Sequence, residues 1–201
     1  MLKKKLFATM LALSSIAMVP SAARADLTAT ATGGDAQRGE HDDQEDRRFL
    51  EQFHAARLPL ARAITIAEQL HPGSRTTAIN FDPSDSPSFR VRTVKQDAVW
   101  ENMIDANTGS IAGPETTSSL RELDGDDRKS IVALRSVTQE LADAVRVAEK
   151  AAEGKAVGGS LLQERGKLNF VVFVVAGERL TEVTLEPPKA GRKGSDDHRR
   201  N

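Results

Sequence analysis

Two stretches decide the fold. The first is Leu60-Ala61-Arg62-Ala63-Ile64-Thr65-Ile66-Ala67-Glu68. The second, 81 positions on, is Leu141-Ala142-Asp143-Ala144-Val145-Arg146-Val147-Ala148-Glu149. Five of these nine pairs are identical and two more are Ile/Val exchanges. The register holds outward without a gap. Gly73 meets Gly154, Phe89 meets Phe170, Val91 meets Val172, Val94 meets Val175 and Glu101 meets Glu182. Upstream, Asp46-Arg47 meets Asp127-Arg128, Leu50 meets Ile131 and Phe53 meets Leu134. Over 46–105 against 127–186, 12 of 60 positions are identical. Glycines and apolar classes match in the same register, so an internal duplication explains the pattern better than chance.

Each copy has one internal order. Leu60, Ala63, Ile64 and Ala67 recur at helical spacing and make one apolar stripe; Leu141, Ala144, Val145 and Ala148 repeat it. Pro59 suits the first helical turn, and Gly73 and Gly154 mark the helix ends. The period then changes to two. Strands are expected at 76–81, 89–94 and 99–104 in the first copy, and at 160–163, 168–175 and 180–185 in the second. Turns are expected at Asp82-Pro83-Ser84-Asp85, Lys95-Gln96-Asp97, Arg165-Gly166-Lys167 and Ala176-Gly177-Glu178. The expected class is α+β: two tandem repeats, each a helix packed on a three-stranded antiparallel meander.

One strand breaks the alternation. Asn169 to Val175, NFVVFVV, is apolar on both faces, whereas Phe89-Arg90-Val91-Arg92-Thr93 alternates. The run lies either between two layers or at an interface. Phe170, Val172 and Val174 are therefore candidate partner contacts.

The ends read differently. Lys3, Lys4 and Lys5 precede an uncharged run from Leu6 to Val19, then Ala23-Arg24-Ala25 before Asp26, the order of a secretory signal peptide cleaved after Ala25. Cleavage takes four basic residues and no acid, leaving 24 basic against 29 acidic residues. That excess disfavours a polyanionic partner, and seven Phe with one Trp leave little for stacking bases, so no nucleic-acid partner is expected. No stretch beyond the N-terminus approaches a spanning length, so the mature chain is read without a transmembrane segment, as a periplasmic or secreted protein. Zero cysteines exclude disulfides, thiolate metal sites, a cysteine nucleophile and an acylated cysteine. Residues 26–45 carry no large apolar side chain beyond Leu27 and read as a flexible linker, and 189–201 as a disordered tail. Between them lie repeat 1 at 46–113, a second linker at 114–126 and repeat 2 at 127–188.

These residues resemble the PepSY domain, twice. That family has a Leu-Ala-x-Ala-Ile-x-Ile-Ala-Glu helix, a Gly, an aromatic-x-Val strand and a final strand ending in Asp-Ala-x-Thr-Gly. Copy one supplies LARAITIAEQ, FRVRTV and Asp105-Ala106-Asn107-Thr108-Gly109. Copy two supplies LADAVRVAEK, FVVFVV and TEVTLE, but Glu186-Pro187-Pro188 replaces the terminal turn. The resemblance implies an exported, non-enzymatic module without a cofactor that binds a protein partner and modulates a peptidase or another envelope protein; the alternative is a structural or assembly subunit docked onto an envelope complex through the 169–175 strand. Asp105, Asn107, Thr108 and Gly109 join the partner-contact candidates, although Asn and Gly tolerate positive φ and the simpler role of this run is a turn.

Catalytic and metal patterns are thin. Asp124-Gly125-Asp126-Asp127 looks calcium-like, but Arg135 stands where an EF-hand loop needs its distal glutamate, so Asp126 or Asp127 is expected to start a helix. His41-Asp42-Asp43 and Asp196-Asp197-His198 are read as solvated tails. Glu68 and Glu149 have no paired carboxylate and read as helix-surface charges. His54 and His71 lack ligand spacing, and Gly158-Gly159 is an isolated pair.

Overall fold

The computed structural model describes residues 36–187, with side chains from residue 44. The expected signal peptide, the first part of the linker and the C-terminal tail lie outside the described residues.

The elements follow in this order: α1 Ala36–Ala55, α2 Leu60–Leu70, β1 Arg75–Asp82, β2 Ser88–Lys95, β3 Ala98–Asp105, β4 Thr116–Ser119, a 3-10 turn Leu120–Glu122, α3 Gly125–Leu134, α4 Leu141–Ala152, β5 Lys155–Glu164, β6 Lys167–Ala176 and β7 Arg179–Leu185. The described residues form a mixed α+β fold. Its strands make one antiparallel sheet in the order β4-β3-β2-β1-β5-β6-β7.

The two apolar stripes become the buried faces of α2 and α4. Their alanines let the helices lie close on the sheet over Ile79, Phe89, Val91, Phe170 and Val172. Pro59 sits one position before α2, and its carbonyl accepts from the Arg62 and Ala63 N–H groups. At the corresponding start of α4, Glu140 and Asp143 form a reciprocal capping box. The helix ends differ in chemistry. Gly73 turns the chain with φ +81°, whereas after α4 it is Glu153 that is left-handed, at φ 52°. Gly154 is required for another reason: a Cβ there would lie 2.3 Å from the Val175 carbonyl oxygen.

Three expectations about connecting segments are corrected. Residues 36–45, read as linker, form the first half of α1. Ala, Gln, Arg and Glu are strong helix formers, and the helix continues from an anchored end where Phe53 meets Phe81 at 5.3 Å and Phe81 meets Phe89 at 5.7 Å. Residues 114–126, also read as linker, supply β4, which pairs along the β3 edge from Ala98↔Ser119 to Glu101↔Thr116. Thr116 and Thr117 are β-branched and suit a strand. The third correction concerns α3: Asp124 caps it, its Oδ1 accepting from the Asp126 and Asp127 N–H groups at 3.0 and 2.9 Å.

α3 reaches the face of β2 turned away from α2. Val91 lies in the core beneath α2, and Arg92, the next residue, ion-pairs with Glu101 and with Asp127 of α3. Val94, Val99, Leu120 and Ile131 make a second, smaller core there.

β1 and β5 join the two halves through only three residue pairs: Ala78↔Ser160, Ile79↔Gly159 and Asn80↔Gly158. Gly158 and Gly159 thus sit inside β5, which starts five residues earlier than expected. A Cβ at Gly158 would lie 2.9 Å from Asn80 Oδ1 and 3.2 Å from the Ile79 carbonyl, so glycine permits the close approach. Both hairpins are irregular at the same place, β1 between Thr76 and Ala78 and β5 between Ala156 and Gly158.

Candidate functional site

The Asp105–Gly109 turn is built from its own side chains. Asp105 Oδ1 accepts from the Asn107 N–H at 2.9 Å, the Thr108 N–H at 2.7 Å and the Thr108 hydroxyl at 2.9 Å. The Thr108 N–H bond, then those from Asn107 and the Thr108 hydroxyl, hold the Asp105 carboxyl below its ordinary value. Gly109 takes φ +75° and lies against Ile66 and Leu58. Between them Ala106 is buried, and its carbonyl accepts from the N–H groups of Arg57 and Leu58, at 3.1 and 2.8 Å. The run closes β3 onto the start of α2. Asn107 and Thr108 stay on the surface.

The second candidate set is placed inside. Phe170, Val172 and Val174 are 1%, 0% and 0% exposed, in the core beneath α4. No partner can reach them in the folded chain, which corrects the expectation that the 169–175 strand docks through them. The apolar run is explained by burial on both faces: Val171 and Val175, which alternate with them, are also buried, and of the apolar side chains in the run only Phe173 is partly exposed.

Two side-chain sets escape a reading by motif. His71, just past α2, stacks on Trp100 of β3 with ring centroids 3.9 Å apart and planes at 10°. Its Nε2 lies 2.7 Å from Glu115 Oε2, which also accepts from Asn102 Nδ2 at 2.8 Å. Burial pulls the Glu115 carboxyl up, but the bonds from His71 and Asn102 outweigh it and hold it below its ordinary value. The cluster clamps the end of α2 to the strand before β4. The residues come from three separate places in the sequence, and only the β3 alternation that puts Trp100 and Asn102 on one face points to it.

Glu68 and Glu149 form the second set. Glu68 Oε1 accepts from the Thr76 N–H at 3.0 Å and hydroxyl at 2.8 Å, and Glu149 Oε1 accepts from the Ala156 N–H at 3.0 Å. Each carboxylate satisfies the strand residue just before the irregularity, where the ladder leaves a donor over. They are not free surface charges. Burial outweighs the Thr76 bonds and holds Glu68 above its ordinary value.

A cleft of about 240 Å³ opens beside Glu149, between the α1–α2 connection and the α4–β5 turn. A second, of about 250 Å³, lies beside Arg75, Leu134 and Arg135. Among the described residues no group of three or more His, Asp or Glu is placed to hold a metal ion. His41-Asp42-Asp43 and Asp196-Asp197-His198 lie outside the described side chains. No described helix is long and apolar enough to cross a membrane.

No curated protein matches the chain. A solved structure, a candidate lipoprotein from Clostridium difficile 630, is similar at 16% identity, covering 68% of this chain and 90% of that one, with a TM-score of 0.40. Residues 57–113 match the family model for the peptidase propeptide and YPEB domain, PepSY. The match begins at Arg57, runs through α2 and the β1–β3 meander, and ends just past the Asp105–Gly109 turn, so this stretch of the chain is similar to a PepSY domain.

Proposed function

We propose that the chain is an exported, non-catalytic binding module with two PepSY-like units in one sheet, and that it modulates a peptidase in the periplasm or outside the cell. The observation that carries this reading is the propeptide-family match over 57–113. Export rests on the signal-peptide order of residues 1–25.

The second unit is supported by register. β2 with β3 and β6 with β7 pair identically at an offset of 81; Phe89↔Ile104 becomes Phe170↔Leu185. The first strands correspond at an offset of 80, since Arg75 faces Val94 as Lys155 faces Val175. The one-residue difference falls at Ser74, between Gly73 and Arg75; Gly154 is followed directly by Lys155. On that offset Ile79 pairs with its own counterpart, Gly159, while Ala78 and Asn80 pair with the counterparts of each other. This is local twofold symmetry about one residue pair. Pro187, buried, then stands where Ala106 stands in the first unit.

The exposed Asn107 and Thr108 belong to the proposed contact. The His71–Glu115 pair is held by a stacked tryptophan and an asparagine, an arrangement for rigidity rather than proton transfer. Cross-linking the tagged protein in its own cell envelope and identifying what it captures tests the reading. An exported peptidase is the expected partner; reproducible capture of other proteins with no peptidase among them would contradict it.

A further inference from the structure

We infer that the cleft between the α1–α2 connection and the α4–β5 turn receives a guanidinium group, presented by an arginine side chain of the protein partner. The inference rests on the two-unit reading above. The fold holds a filled version of the same site. At the start of β1, Arg75 crosses to the α3–α4 connection. Its Nη1 donates to the carbonyls of Leu134 at 2.7 Å and Val137 at 3.1 Å, its Nη2 to that of Gln139 at 2.6 Å, and its Nε to Glu140 Oε2 at 2.8 Å. Leu134 ends α3, so the cation also meets the negative end of that helix.

In the first unit the same connection runs from Phe53 to Pro59, with the same backbone. Ala56 N–H donates to the Phe53 carbonyl at 3.1 Å, as Val137 N–H does to Leu134 at 3.2 Å. Arg62 N–H donates to Pro59 at 2.9 Å, as Asp143 N–H does to Glu140 at 3.0 Å. The counterparts of the three carbonyls that hold Arg75 are those of Phe53, Ala56 and Leu58, and all three residues line the open cleft. The Ala56 and Leu58 carbonyls accept no hydrogen bond among the described residues. At the strand position of Arg75 stands Lys155, exposed and bonded to none of them. A lysine is a compact point donor, whereas a guanidinium is a planar fork that can span several acceptors.

Pro59 replaces Glu140, and Glu149 supplies the carboxylate from the α4 side: its Oε1 takes the Ala156 N–H and its second oxygen is unengaged among the described residues. Arg57 and Lys155 on the rim weaken attraction for a cation. Arg75 is nevertheless held in a cleft shared with Lys95 and Arg135, so two nearby cations do not prevent the binding.

The test is an amide-shift titration of the mature protein with N-acetyl-arginine amide, and with the citrulline analogue, which keeps the shape and loses the charge. Saturable shifts at Ala56, Leu58, Gly154 and Ala156 are expected with arginine, and binding about tenfold weaker with citrulline. Equal binding of both, or shifts mapping elsewhere, would overturn the proposal. Lys155→Arg should fill the cleft from within, raising Tm and abolishing the arginine shifts; unchanged Tm and unchanged shifts would overturn it. Binding seen only in Lys155→Ala would mean that Lys155 itself occupies the cleft, and would also overturn it. A folded Lys155→Arg protein that still captures its peptidase leaves the peptidase reading standing and removes the cleft from it; loss of capture in that variant supports the cleft.

Discussion

Glu68 and Thr76, eight residues apart, are joined by two hydrogen bonds to one carboxylate oxygen, from the Thr76 N–H and from its hydroxyl. The pair fixes the end of α2 to the irregular start of β1. Glu68→Ala should cost about 1–3 kcal/mol, since the Thr76 N–H loses its acceptor. Glu68→Gln keeps an acceptor oxygen and should cost under about 1 kcal/mol at neutral pH. The sign of the pH effect follows from burial. Glu68 lies above its ordinary value in the fold, so its contribution is full below the ordinary glutamate range and is lost as pH rises through the folded value. Glu68→Gln therefore gains relative to the parent as pH rises through that window. Urea denaturation across this pH range reads it; a difference that is constant with pH would contradict the assignment.

Gly154 and Gly159 should respond unequally to the same change. A Cβ at Gly154 would meet the Val175 carbonyl at 2.3 Å, backbone that cannot step aside. At Gly159 it would meet Leu141 Cδ1 at 3.4 Å, an ordinary contact. Gly154→Ala should cost about 1–3 kcal/mol or more, Gly159→Ala under about 1 kcal/mol. Thermal unfolding of the two variants compares them directly, and equal Tm values would refute the close approach.

Val172→Asp should unfold the protein or nearly so. Val172 is fully buried, and an unpaired carboxylate there costs several kcal/mol, comparable to the whole stability of a small domain. Arg90→Asp loses a half-exposed ion pair with Asp82, at 2.8 Å, and faces that carboxylate with another, a change of about 1 kcal/mol. Circular dichroism of both variants distinguishes them. A folded Val172→Asp protein would contradict the placement of β6 beneath α4.

Much of this was legible in periodicity. The α2 and α4 stripes fall on their buried faces, and five of the six expected strands agree within a residue at each end. The sequence pattern shows only the second half of β5, because Gly158 and Gly159 interrupt it locally; the approach of β1 explains them. β4 was missed because Thr-Thr-Ser-Ser carries no apolar alternation and is held by the β3 edge rather than by a core. The NFVVFVV run reads as lying between two layers or at an interface, and the fold takes the first of these, with α4 and α3 packed against β6. Glu68 and Glu149 looked like surface charges for the same reason: their partners are donors that an irregular strand leaves over, invisible to any count of paired carboxylates.

The central claim is that this module acts on a peptidase. The most direct measurement is proteolysis by the exported metallopeptidases of the same organism, titrated with the mature chain and, as a control, with the unfolded Val172→Asp variant. The account predicts a saturable loss of activity near stoichiometric amounts of the folded chain and none with the variant. Proteolysis that stays unchanged at a large excess of folded protein would contradict it.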